Sequence, residues 1–146
     1  IHYHNRSRLD KNLEKNAVYH NSLKSLFSVS DFFSINCPAT KETKHIINEE
    51  TLKYFPDGAI VSNSARGDIV KETDHNKALK SKEIAGAGLD VYEFEPKVPE
   101  ELMEMENVVL LPHLGTASLE VRLGMGLMAV ENIKSFLAGT ELPNLV

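Results

Sequence analysis

The stretch Ala59-Ile60-Val61-Ser62-Asn63-Ser64-Ala65-Arg66-Gly67 opens with strand-forming residues and closes on a small, polar turn that carries an arginine. Such a pattern predicts a β-strand whose carboxyl end runs straight into a loop. The same arrangement recurs downstream. Ala85 to Val91 reads as a strand followed by Glu95-Pro96, and Val108 to Leu111 as a short strand followed by Pro112-His113-Leu114-Gly115. Between the first two lies a predicted helix, Lys71 to Lys80. After the third comes a longer one, Ser118 to Ala138, with Leu119, Leu123, Leu127, Val130, Ile133 and Leu137 at helical spacing and Gly139 to end it. Strands alternating with helices predict an α/β fold: a doubly wound, Rossmann-like parallel sheet. Ligands in such sheets bind beyond the carboxyl ends of the strands. Arg66, Glu95 and His113 each follow a strand at that end and are the candidate catalytic residues.

The upstream half fits the same alternation. Ile1 to Asn5 alternates like a strand, Arg8 to Asn16 allows a short helix, and Ala17 to His20 is a minimal second strand. Ser22 to Phe27 reads as a helical turn. Phe32 to Cys37 is a third strand, stopped by Pro38, which has no backbone donor. Asn48 caps a helix over Glu49 to Phe55, with two acids in its first turn, and Pro56-Asp57-Gly58 is a turn. The charge-rich segment Glu93 to Glu106 is expected to be a surface connection apart from Glu95. Because the first residues already alternate, the chain is expected to begin inside a strand, as a truncated sequence.

Size and charge narrow the function classes. A chain of 146 residues suits one domain. With 16 basic against 21 acidic residues and a net charge of −5, it has no basic footprint for nucleic acid. No run approaches the roughly 18 apolar residues of a membrane span. A soluble, cytoplasmic protein is expected. Lone Cys37 can form no internal disulfide, lacks the paired spacing of a zinc site, and is expected to be a small buried hydrophobe.

Taken singly, an arginine before a glycine or a histidine after a proline is a common turn residue; together, in order, they form a site. His2, His4, His20, His45 and His75 show no ligand spacing and are expected at the surface or in turns, and no metal is expected. Gly86-Ala87-Gly88 imitates the start of a dinucleotide fingerprint but leads into a strand, with Val91 where a further glycine would stand. Gly124-Met125-Gly126 lies in the last helical pattern, where small residues would let another helix approach.

From about Phe32 onward the chain resembles the nucleotide-binding domain of the D-isomer-specific 2-hydroxyacid dehydrogenases. The resemblance rests on Cys37-Pro38 with Thr43, on Asn63 to Gly67, on Ala85 to Val91, on Glu95-Pro96 and on Pro112 to Gly115. The opening Tyr3 to Leu9 is similar to the glyoxylate and hydroxypyruvate reductase branch. The resemblance implies that Arg66 grips the substrate carboxylate and 2-oxo oxygen, that His113 donates the proton, and that Glu95 holds the imidazole. These types suit reduction of a 2-oxo acid: a guanidinium forks two hydrogen bonds onto a carboxylate, and a nearby carboxylate keeps an imidazole protonated. It further implies cofactor contacts from Asp90 at the nicotinamide end, from Cys37, Pro38 and Thr43, from Ser64, Ala65 and Arg66, and from His113 and Gly115.

The acid that commonly grips the adenosine ribose would fall near His4, where no carboxylate stands. Arg6 with Ser7 or Arg8 follows, which favours NADP(H) over NAD(H), since a 2′-phosphate wants a cation and hydroxyl donors. In this family a first strand, the glycine fingerprint and a substrate domain would precede Ile1. Residues 1–146 are therefore expected to be a partial NAD(P)-binding domain, inactive alone, whose remaining strands cannot form one continuous sheet. Lys71-Glu72-Thr73-Asp74-His75 departs from the family, and Asp74 and His75 are expected to weaken the docking of their helix. The leading expectation is an oxidoreductase that reduces a small 2-oxo acid to the D-2-hydroxy acid in a longer, homodimeric parent. The alternatives are an NAD(P)-sensing regulatory module and an inactive remnant.

Overall fold

Every strand pair among the described residues is parallel. The computed structural model describes residues 1–145, and its six strands fall into two sheets. β1 (His2–Tyr3) and β2 (Val18–Tyr19) pair with each other, joined through α1 (Lys11–Glu14). α2 (Leu23–Phe27) leads to the second sheet. There β3 (Phe32–Ile35), β4 (Ile60–Asn63), β5 (Gly86–Leu89) and β6 (Val108–Leu110) lie side by side in sequence order. The connections carry α3 (Glu49–Leu52), α4 (Glu72–Ser81) and α5 (Glu100–Met103), and α6 (Leu119–Ala138) follows β6. The expectation that the strands would not form one sheet is met. Parallel pairing explains it, because each return needs a crossover, and no strand joins β1 to β3 among the described residues.

Two compact units divide the chain at Pro112. The first holds both sheets. Its core is aliphatic, with Ile47, Leu52, Ile69, Ile84 and Leu102 fully buried, and carries an aromatic cluster in which Phe27 stacks on Phe55 at 4.7 Å and meets Phe33 edge-on at 5.0 Å. That cluster explains why α3 is shorter than its sequence predicts. After Leu52 the amides of Tyr54 and Phe55 bond to carbonyls only three residues back, which tightens the chain and turns Phe55 inward, and Pro56 disfavours helix at Phe55 itself. The Asn48 cap is present as a full capping box with Thr51.

Three expectations need correction. The segment Glu93 to Glu106 is not a plain surface connection: it contains α5, buries Leu102 completely, and ties Glu101 to Lys80 and Asn76 on α4. His75 is not at the surface, and Asp74, expected to weaken the docking of its helix, takes part in it. Asp74 accepts the Glu49 amide at 3.0 Å and pairs with Lys71 at 3.0 Å, so it joins α4 to the start of α3. Burial would raise its carboxyl, but the Glu49 amide and Lys71 together hold it below the usual carboxylate value. His75 is buried in the first unit, where burial pushes its imidazole down to about 4.

The second unit, from His113 onward, is dominated by α6. Ser118 caps it through the Val121 amide, and Gly139 closes it at φ +66, a left-handed position that suits glycine. The apolar spacing is real, yet none of its residues is buried, and nothing lies within 4 Å of where a Cβ would stand on Gly124 or Gly126. The expected close approach of another helix there is not made by the described residues.

Candidate active site

Three neighbouring parallel strands of the first unit deliver candidate residues from their carboxyl ends. Ile35 ends β3 just before Asn36-Cys37-Pro38, Asn63 ends β4 before Ser64-Ala65-Arg66, and Leu89 ends β5 before Asp90. The structure brings the first two groups around one open cleft of about 570 Å³, lined by Asn36, Cys37, Pro38, Ala39, Ala65 and Arg66. Cys37 is half-buried, and its burial raises the thiol above its usual value, so it is a poor nucleophile and a wall of the cleft. Thr43 shapes that wall. Its hydroxyl donates to the Pro38 carbonyl at 2.7 Å and accepts the Thr40 amide at 2.7 Å, closing the loop on itself.

The Arg66 turn is built by Asn63. The Asn63 side chain is 1% exposed and accepts the Ala65 amide at 3.1 Å while donating to the Arg66 carbonyl at 2.9 Å. This is an Asx-type turn that substitutes for the ladder where β4 ends. Arg66 is exposed, and its guanidinium, which carries several N–H donors, donates one to the Ala65 carbonyl at 2.6 Å. Gly67 is needed by packing. A Cβ there would stand 1.9 Å from the Tyr92 carbonyl oxygen, so the turn presses directly on the backbone after β5.

That backbone carries Asp90 and Glu95. Asp90 is buried, and its amide bonds to the Asn63 carbonyl at 3.0 Å. Glu95 is exposed, and its carboxylate accepts the Tyr92 amide at 3.1 Å. The Tyr92 ring is buried, and its hydroxyl donates to the Leu111 carbonyl at 2.8 Å, so one residue fastens the loops after β5 and β6 together. His113 opens the second unit with a left-handed backbone at φ +57, and Gly115 lies in the turn that closes with the Ala117 amide on the Leu114 carbonyl. Arg6 and Ser7 follow β1, are exposed, and do not line the cleft. Arg8 is committed elsewhere: its guanidinium forks onto Glu14 at 2.8 and 2.9 Å. Of the two arginines in that turn, Arg6 is the one not held by an acid in a forked pair.

Sequence reading missed several polar residues here. His45 is 31% exposed, and its Nε2 donates to Glu93 at 2.7 Å, a pairing that joins positions 48 residues apart and leaves no local signal. The second Glu93 oxygen accepts the Glu72 amide at 3.0 Å. Burial raises the Glu72 carboxyl above its usual value, and the nearby Glu93 charge adds to the rise. Among the described residues no group of His, Cys, Asp or Glu could hold a metal ion, and no helix is long and apolar enough to cross a membrane.

Comparison with known proteins identifies the family. Residues 1–115 match the family model described as D-isomer specific 2-hydroxyacid dehydrogenase, NAD binding domain. The glyoxylate reductase of Thermococcus litoralis is 43% identical over the whole chain, which spans 44% of that protein. Two solved structures superpose closely. One is the NADPH-dependent glyoxylate/hydroxypyruvate reductase of Sinorhizobium meliloti in complex with NADP and malonate, 34% identical, with a TM-score of 0.92 over 99% of this chain and 44% of that one. The other is the holo D-mandelate dehydrogenase of Rhodotorula graminis, 35% identical, with a TM-score of 0.92 over 98% of this chain and 42% of that one. This chain thus spans less than half the length of the relatives it matches, and it belongs to the D-isomer specific 2-hydroxyacid dehydrogenase family through the NAD-binding domain.

Proposed function

We propose that this chain is the larger part of the nucleotide-binding domain of a longer reductase, which converts a small 2-oxo acid such as glyoxylate or hydroxypyruvate to the D-2-hydroxy acid. The observation that carries the reading is the exposed Arg66 fork beside the cleft at the carboxyl ends of β3 and β4. An open cleft with small, largely apolar walls and an arginine beside them, at this end of a parallel sheet, suits the flat nicotinamide end of a dinucleotide. Cys37, Pro38 and Ala65 would hold that end, with Thr43 bracing the loop and Ser64, Asp90 and Gly115 following the family pattern. When bound, the reduced cofactor supplies the hydride to carbon 2. Arg66 binds the substrate carboxylate in a forked pair and draws charge onto the 2-oxo oxygen. The His113 imidazolium gives its proton to that oxygen, so the carbonyl becomes a hydroxyl and the imidazole is left neutral. The family pattern gives Glu95 the task of holding the imidazole protonated.

The cofactor is NADP(H). Arg6 after β1 offers a permanent cation for a 2′-phosphate, with Ser7 beside it, and no acid stands at His4 to repel one. Arg8 takes no part, since Glu14 occupies it. The test is steady-state kinetics of the full-length parent with glyoxylate, comparing NADPH and NADH. Arg6→Ala is expected to raise the KM for NADPH about tenfold or more while leaving that for NADH nearly unchanged. Equal effects on both cofactors would remove Arg6 from phosphate recognition.

A further inference from the structure

Three parts of the proposed site meet at one residue that does not line the cleft. Glu93 follows β5, and its side chain is only 10% exposed. Both of its carboxylate oxygens are used: Oε1 accepts His45 Nε2–H at 2.7 Å, and Oε2 accepts the Glu72 amide at 3.0 Å. A return bond completes the frame, because the Glu93 amide donates to the Glu72 carboxylate at 3.3 Å. Since a carboxylate can only accept, the His45 proton must lie on Nε2.

Each of these bonds reaches toward a different wall. On one side, the backbone amide of His45 bonds to the Asp68 carbonyl at 3.0 Å, and His45 stands two residues after Thr43, whose hydroxyl holds the Pro38 carbonyl. Fixing the imidazole therefore fixes the loop that borders the cleft. On the other side, the peptide before Glu93 belongs to Tyr92, whose carbonyl rests against Gly67 in the Arg66 turn and whose amide holds the Glu95 carboxylate. The third side is the amino end of α4, which follows the Arg66 turn in the chain.

We propose that Glu93 is a positioning residue that locks the Pro38–His45 loop, the Arg66 turn and the Glu95 loop in one register, so that cofactor affinity depends on a carboxylate outside the cofactor cleft. The proposal rests on the reductase reading above. The carboxylate acts as a two-pronged acceptor, so length matters more than charge. Glu93→Gln keeps the length: its amide oxygen can accept from Glu72, and its NH2 can donate to the other tautomer of His45. Glu93→Asp keeps the charge but is one methylene too short to reach both partners, and Glu93→Ala removes both bonds.

The experiment measures NADPH affinity and glyoxylate kinetics for these three variants in the full-length parent, well below each unfolding midpoint. Glu93→Ala and Glu93→Asp are expected to raise the KM and the dissociation constant for NADPH about tenfold, with Glu93→Gln within about threefold of the parent, because a small misplacement remote from the chemistry is felt in binding. A residue that only supports folding would lower the unfolding temperature of Glu93→Ala but leave NADPH affinity unchanged, and that result would overturn the proposal. So would a Glu93→Gln variant as impaired as Glu93→Ala. A parent that binds NADPH but turns over no 2-oxo acid would defeat the reductase reading alone, since the dissociation constants would still report on Glu93.

Discussion

Arg66 is the residue on which the proposed chemistry depends most, because its fork lies exposed beside the cleft and its turn is held from below by buried Asn63. Lysine keeps the charge but cannot make two parallel bonds to a planar carboxylate. Arg66→Lys is therefore expected to lower kcat/KM for glyoxylate about a hundredfold, with a much smaller effect on NADPH affinity, in steady-state assays of the parent. His75 makes a different kind of test. Its imidazole is pushed down to about 4 by burial, against 6.5 for the free group, so the unfolded chain binds more protons between those values. Stability should be full above pH 6.5 and fall as the pH drops toward 4, by up to ~3 kcal/mol from this group. Urea unfolding at pH 7 and pH 4.5 checks this, and His75→Leu should flatten that part of the slope.

At the scale of elements, the turns are more demanding than the strands. A Cβ on Gly67 would run into the Tyr92 carbonyl, and that contact is between backbones, which cannot simply rotate away. Gly67→Ala is expected to destabilise the fold by about 1–3 kcal/mol and to disturb Arg66 as well, read from the unfolding midpoint. By contrast, Asn48→Ala removes the α3 cap together with the bond that its side-chain amide donates to the His45 carbonyl at 2.7 Å, and should cost about 1–2 kcal/mol in urea unfolding. The strands were legible in the sequence because each is a short run of small and apolar residues bounded by turn residues: Ala59 to Asn63 contains β4, and Ala85 to Val91 contains β5. Only Arg66 was placed by its strand end; Cys37, Pro38 and Ala65, which line the same cleft, were named through the family resemblance and not through any periodicity. What escaped was set by contacts between distant segments. The His45–Glu93 pair and the docking of Asp74 on the Glu49 amide have no periodicity to betray them, and the short α5 hides in a segment rich in acids. α3 stopped early because packing of Phe55 outweighed its helical pattern.

For the whole molecule, the two parallel sheets raise the question of what joins them. β1 and β3 each pair on one side within the described residues, and the family order that the chain follows would set one further parallel strand between them. We propose that this strand and the phosphate-binding turn after it come from the rest of a longer polypeptide, as the 44% coverage of the Thermococcus litoralis reductase suggests. The purified 146-residue chain should then show no glyoxylate-dependent oxidation of NADPH. The central claim is that residues following these strands orient a 2-oxo acid for the hydride that a bound reduced cofactor would supply and give the proton to its oxygen. The most direct measurement is the turnover of glyoxylate by the full-length parent and its His113→Ala variant, with NADPH binding measured alongside. The account predicts a loss of about 10²–10⁴-fold in kcat with NADPH affinity preserved, and a variant that turned over glyoxylate at the parent's rate would contradict it.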